Sequence, residues 1–244
     1  ERHFMKLITV FIIAWFAFFL SDSLMAQSKK ELRADIETLK MEKAFLQAKF
    51  DSAVVSGKLL HEKLREKTYE AAEITMKQLN FELLYVLCSD SIEKDSDEVA
   101  RAIDWNDLIV YDQKNILAYE TEFINTIIDG KSDEEIEGAF KFYKDLLYKT
   151  KELYLKKAAF DEKDIFRTAL LELLDVFIDV AENEYAEMIL IYTKAAEILT
   201  DADFDRWDFL TNEVDDKEGL ANDIFLLKQK VFAAEYQFIL QKTE

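Results

Sequence analysis

The chain contains no proline and only four glycines in 244 residues. Average usage would supply about a dozen prolines. Proline breaks helix interiors and glycine weakens them, so a chain short of both is written for long helices joined by few turns. No strand alternation of useful length and no repeat of fixed period is found. The expected fold is all-α: an antiparallel bundle of four or five long helices with a long N-terminal coiled-coil-like helix.

Half of the residues are apolar, which argues against disorder although a third are charged. The formal charge of −19 argues against a phosphate-backbone binder, since that function needs clustered Lys and Arg. It also argues against docking on anionic lipid. No nucleic-acid partner is expected, and the acidity reads as solubility.

The N-terminal stretch has the three-part grammar of an export signal. Lys6 follows Met5, an apolar run extends from Leu7 to Leu20, and polar residues lead to Leu24-Met25-Ala26-Gln27. The run is short of the ~20 residues that span a membrane, so no stable span is expected once the signal is removed. Residues 1–26 are read as a signal peptide with a short N-terminal extension, 27–68 as a coiled-coil-like helical segment, and 69–244 as the bundle. The expected location is periplasmic or extracellular.

After Gln27 a heptad seam begins. Leu32, Ile36, Leu39, Lys43, Leu46, Phe50, Ala53, Gly57, Leu60 and Leu64 alternate at spacings of four and three, as the inner positions of a coiled coil do. Lys43 places a charge on the seam, a device that fixes register or oligomeric state. Ala53 and Gly57 thin it where a partner helix would approach closely. No strong breaker intervenes before Ser89, so this helix is expected over 28–89, about 90 Å at 1.5 Å per residue. The seam is the expected surface for a protein partner or for self-association.

Four further helices are expected. The second starts with a cap at Ser96 and ends at Gly130, with Ile116, Tyr119, Phe123, Ile124 and Ile127 inward. The third opens on a Ser132/Glu135 capping box and carries a stripe including Ile136, Tyr143, Leu147, Leu153 and Tyr154. The fourth, capped by Asp161 or Asp164, runs to Leu199 and is the most buried, because apolar residues occur all round it. A short acidic helix near Phe204–Leu210 precedes the fifth, at 217–242, with Val231, Phe238 and Ile239 inward.

Chemistry-bearing motifs are weak. Asp201-Ala202-Asp203-Phe204-Asp205 resembles the opening of a calcium loop, but its sixth position is Arg206 and its twelfth Asn212, where such a loop needs Gly and Glu. Asp201, Asp203 and Asp205 are therefore only a weak calcium candidate. His61 has Lys58 three residues before it, so the Glu-x-x-His pattern of carboxylate-bridged metal sites is missing. Cys88 lies in an apolar run and is expected to be a buried thiol. Glu172, Asp175, Asp179, Glu182 and Glu187 are expected on the outer face of the fourth helix. No cofactor and no catalytic residue is expected. The leading functional expectation is an exported, non-enzymatic interaction or structural component. A bundle holding an apolar ligand is one alternative, and an enzyme working through carboxylates alone is another.

Overall fold

The computed structural model describes residues 29–88 and 94–240, with side chains from Glu37 onward except Asp51. The chain folds as an all-α bundle, with no strand among the described residues. Its helices are α1 (Lys29–Cys88), α2 (Ser96–Ile128), α3 (Asp133–Lys156), α4 (Ile165–Val180), α5 (Ala186–Tyr192) and α6 (Asp201–Glu235). A π-helical turn, Ala181–Tyr185, joins α4 to α5. The chain divides into two units, one ending at Lys67 and the other beginning at Thr68. The expected export signal lies outside the described residues. Among the described residues, no helix is long and apolar enough to cross a membrane.

Within the second unit the cross-links between helices establish direction. Phe123 contacts Phe140 while the earlier Tyr119 contacts the later Phe142, so α2 and α3 are antiparallel. The short turn between them dictates this: Gly130 takes the left-handed conformation at φ 65°, and the Lys131 N–H returns to the Thr126 carbonyl at 3.0 Å. Ser132 and Glu135 then form the expected reciprocal capping box. On α4 and α6, Glu172 pairs with Lys228 at 2.5 Å and Asp179 with Lys217 at 2.7 Å. The same fall of one number as the other rises makes this pair antiparallel too.

The core is densest along α4, where Phe166, Leu170, Leu173, Leu174, Phe177 and Val180 are fully buried. Apolar residues at nearly every inward angle let α4 contact both α3 and α6. Phe166 packs on Phe225 and Phe232 of α6 at ring separations of 5.2 and 5.5 Å. Arg167 ties the start of α4 to the end of α3. It donates to the Tyr154 carbonyl at 3.1 Å, to the Lys157 carbonyl and to the Asp164 carboxylate. The carbonyls that α3 leaves without helical partners are thereby capped.

Several expectations are corrected. The fourth helix does not run to Leu199. It ends at Tyr192, where the Thr193 hydroxyl bonds the Ile189 carbonyl and Lys194 turns to Asp203 at 2.6 Å. The acidic stretch is not a separate short helix, because Asp201–Glu235 is continuous. Gly219 alone does not break it, since one glycine costs only about 1 kcal/mol and its neighbours are packed. As this helix stops at Glu235, Ile239 is 92% exposed rather than inward. Leu153 and Tyr119 also face outward, at the edges of their stripes. The cap of α2 is Asp95, whose carboxylate accepts from the Asp97 N–H, not Ser96. At α4 the cap residue is Asp164 in a left-handed conformation, φ 49°; its N–H donates to Asp161 and its own carboxylate goes to Arg167. Cys88 is exposed, not buried. The bundle-facing side of the last part of α1 is Ala72, Met76, Leu79 and Leu83, and Cys88 falls off that stripe.

Candidate functional site

Of the ten seam positions, Leu32 and Ile36 lie outside the described side chains. Leu39, Leu46, Leu60 and Leu64 are 44, 65, 70 and 66% exposed. Lys43, Ala53 and Gly57 are also exposed, and Phe50 is half-buried. The helix around them is regular, so the heptad spacing lays these side chains along one stripe. Apolar exposure is not confined to it, because Met41, Phe45 and Leu59 are exposed on other faces. Leucines of this kind cost roughly 1.5–3 kcal/mol each when left in water instead of fully buried, and the seam is thus an apolar surface of the kind partners cover.

The second arrangement lies in the core of the bundle and is polar. On α2, Asn106, Gln113 and Glu120 are buried at seven-residue spacing. Gln229 of α6 donates to Asn106 at 2.8 Å, and Gln113 donates to Asn222 at 2.9 Å. The third rung is Glu120 against Glu218. Tyr185, from the π-helical turn, and Tyr143, from α3, both donate to Glu120 Oε1, at 2.9 and 3.2 Å. Phe123 closes the site with its ring 5.3 Å from that of Tyr185.

No donor of the protein reaches Glu218 Oε1. Its carboxyl meets that of Glu120, and two carboxylates bind each other only if one keeps a proton. Burial pushes the Glu218 carboxyl up to about 10, with the Glu120 charge next in weight and Asp215 and Glu184 adding to it. Glu120 is also raised, by burial, against the opposing pull of its hydrogen bonds to Glu218, Tyr185 and Tyr143. Both tyrosine hydroxyls are driven upward, first by burial and then by the Glu120 charge. The nearby cation, Lys217, goes instead to Asp179 and Glu184. A shallow cleft of about 280 Å³, bordered by Leu117, Phe177 and Asn222, reaches Glu218 from outside.

The other candidates are placed plainly. Asp201 and Asp203 fall on the first turn of α6, and Asp205 follows just after it. Asp203 closes a capping box with Thr200 and pairs with Lys194; those contacts lower its carboxyl to about 2. Among the described residues no group of His, Cys, Asp and Glu is arranged to hold a metal ion. His61 is exposed. The acidic residues on α4 and its continuation make ties at the surface: Glu172 to Lys228, Asp175 to Lys151, Glu182 to the Tyr148 hydroxyl and Glu187 to Arg206.

Sequence reasoning missed the polar ladder. The signal was present as Asn106, Gln113 and Glu120 seven apart, parallel to Ala102, Ile109, Ile116 and Phe123 one turn away. It reads as an ordinary solvated face until α6 is laid against it. No family model, curated protein or solved structure matches this chain.

Proposed function

We propose that this is an exported, non-enzymatic interaction protein that works through the seam of α1. The carrying observation is the exposure of Leu39, Leu46, Leu60 and Leu64 on one heptad stripe. A stripe of this length and spacing is complementary to another helix, and the acidic surface elsewhere suits a protein that stays dissolved until it meets its partner. Export rests on the Lys6 to Ala26 pattern, and an N-terminus at Gln27 on the native protein, read by mass spectrometry, is its expected signature. Light scattering tests the seam: the full chain is expected to associate, and Leu46→Asp to give a monomer with an unchanged helical spectrum. A full chain that is monomeric and binds no partner through these leucines ends this reading.

One observation favours a second reading, acid–base chemistry by Glu120 and Glu218. Two carboxyls converge there without a cation on either, as a general acid requires. Against it, Glu120 is fully enclosed and its oxygen already takes two tyrosine hydroxyls, so no reacting atom has space beside it. The pair reads better as a structural device that sets the register of α2 on α6, a role for which buried polar layers are known.

A further inference from the structure

Between Thr68 and Cys88, α1 carries two apolar faces. Ala72, Met76, Leu79 and Leu83 meet Ile224, Leu227 and Val231 of α6. At 3.6 residues per turn, nearly opposite to these stand Ile74, Phe81 and Tyr85, which are exposed, followed by the exposed Cys88. Among the described residues, the bundle leaves this second face exposed.

Counted along the sequence, these residues continue the heptad frame of the seam. With Leu39, Leu46, Ala53 and Leu60 at the d positions, the next are Lys67, Ile74, Phe81 and Cys88. With Lys43, Phe50, Gly57 and Leu64 at a, the next are Ala71, Gln78 and Tyr85. We infer that a second copy of this chain packs along this frame, parallel and in register, so that Cys88 faces Cys88 of the second copy. The inference rests on the seam being an association surface, and adds the occupant, the direction and the register.

Three observations select that occupant. Leucine dominates the early d positions, and Ile36 and Lys43 open the a positions; Leu at d with Ile at a, and a polar residue at an a position, are features of parallel two-stranded coils. In register, Lys43, Lys67 and Gln78 each fall on their own counterpart; Gln78 can pair amide to amide and the lysine stems carry their ammonium groups out to the rim, whereas a shifted or reversed helix that sets Gln78 against Phe81 buries a polar group unpaired. Rim positions agree as well. Lys77 falls opposite the second copy's Glu82, and Glu42, Lys49, Lys63 and Glu70 fall opposite uncharged residues, so no like charges meet across the rim. The exposed large side chains in the frame, at roughly 100 Å² apiece, approach with their flanking stems the ~800 Å² per partner of a specific interface.

Oxidised glutathione is the probe. One Cys88 thiolate attacks it, releasing a glutathione thiol and leaving a mixed disulfide. The second Cys88 thiolate attacks the protein sulfur of that disulfide and releases the other glutathione. Two thiols and one glutathione disulfide thus become one protein disulfide and two glutathiones. Full-length protein is expected to form a covalent dimer on a non-reducing gel, at a rate unchanged by dilution while the dimer persists. The reference is Asn80→Cys in a Cys88→Ser background, an exposed position off the frame. Paired sulfurs at mM effective concentration in ~10 µM protein give Cys88 about a hundredfold advantage over it. Equal rates from a chain that light scattering shows to be a dimer overturn the parallel register and leave the seam standing. A trimer or larger assembly overturns the second-copy dimer. A monomer at all concentrations overturns both.

Discussion

Leu60 on α1 and Leu170 on α4 are the same residue on two helices drawn by the same rule, yet one is 70% exposed and the other fully buried. The first belongs to the unit ending at Lys67 and the second to the unit beginning at Thr68. Around Leu170, apolar residues recur at several angles of the helix, so the helix is buried on more than one side. Around Leu60 the seven-residue repeat runs along one stripe among charged residues, with Val55 and Leu59 exposed on another face, as in a helix that meets a partner along one line. The difference shows that hydrophobic period specifies how many neighbours a helix needs. It does not specify whether the chain supplies them.

The largest effect that sharpens this contrast is expected at the buried leucine. Leu170→Ala should destabilise the protein by about 2–5 kcal/mol, the range for a leucine deleted from a packed core. Denaturant unfolding followed by helical signal reads it. A loss below ~1 kcal/mol would mean that the core around α4 collapses onto the gap and is not the close-packed region described.

The next effect lies at the polar ladder and depends on pH. Glu218 has a folded-state pKa raised above the unfolded value near 4.5. Between those values the folded protein holds a proton that the unfolded chain has lost, so stability falls as pH rises, by at most ~1.4 kcal/mol per unit. At the acid end the sign reverses, since Asp203, Glu187 and Glu135 are lowered by their hydrogen-bonding partners and lose those gains when protonated. Maximum stability is therefore expected on the mildly acidic side of neutral. Glu218→Gln keeps a donor toward Glu120 and cannot ionise. It should match the parent near pH 5 and exceed it at pH 8–9, with a flatter profile by thermal melts. Identical profiles would show that the pair holds no shared proton.

The all-α class, the long helices up to Lys156, the capping box at Ser132 and the reversal at Gly130 were legible in the sequence, because each depends on local spacing. The ends that were missed depend on contacts distant in sequence. Thr193 stops a helix whose pattern continues, with Lys194 held by Asp203, and α6 absorbs an acidic segment because its partners on α4 and α5 present acidic residues to Lys217 and Arg206. Cys88 is exposed although it lies in an apolar run, because a helix with two apolar faces buries one and exposes the other. The ladder of Asn106, Gln113 and Glu120 was illegible for the complementary reason: a polar heptad stripe looks the same facing water or facing Gln229, Asn222 and Glu218.

A smaller effect is expected from Ser132→Ala. It removes the hydroxyl that accepts from the Glu135 N–H at 3.3 Å and one partner of the Glu135 carboxylate. The exposed capping box should cost about 1 kcal/mol, seen as a lower denaturant midpoint with an unchanged slope. An unaltered midpoint would show that water replaces the cap without loss.

The smallest effect should come from repeating the first substitution on the exposed stripe. Leu60→Ala removes the same atoms as Leu170→Ala, but in dilute protein they are already largely in water. Neither a transfer loss nor a cavity arises, and alanine is at least as good a helix former as leucine. The change is therefore expected within about 0.5 kcal/mol, as for ordinary surface substitutions. Concentration separates this from an inert surface. Where the seam is covered by another helix, Leu60 becomes a core position, and assembly stabilises only the state that assembles. Parent and Leu60→Ala melting temperatures should coincide at low concentration and diverge as it rises, with the parent climbing faster. Parallel curves at every concentration would mean that Leu60 is never covered. A large loss in the monomer itself would mean that the chain supplies its own cover, and the contrast between the two leucines would then be one of degree.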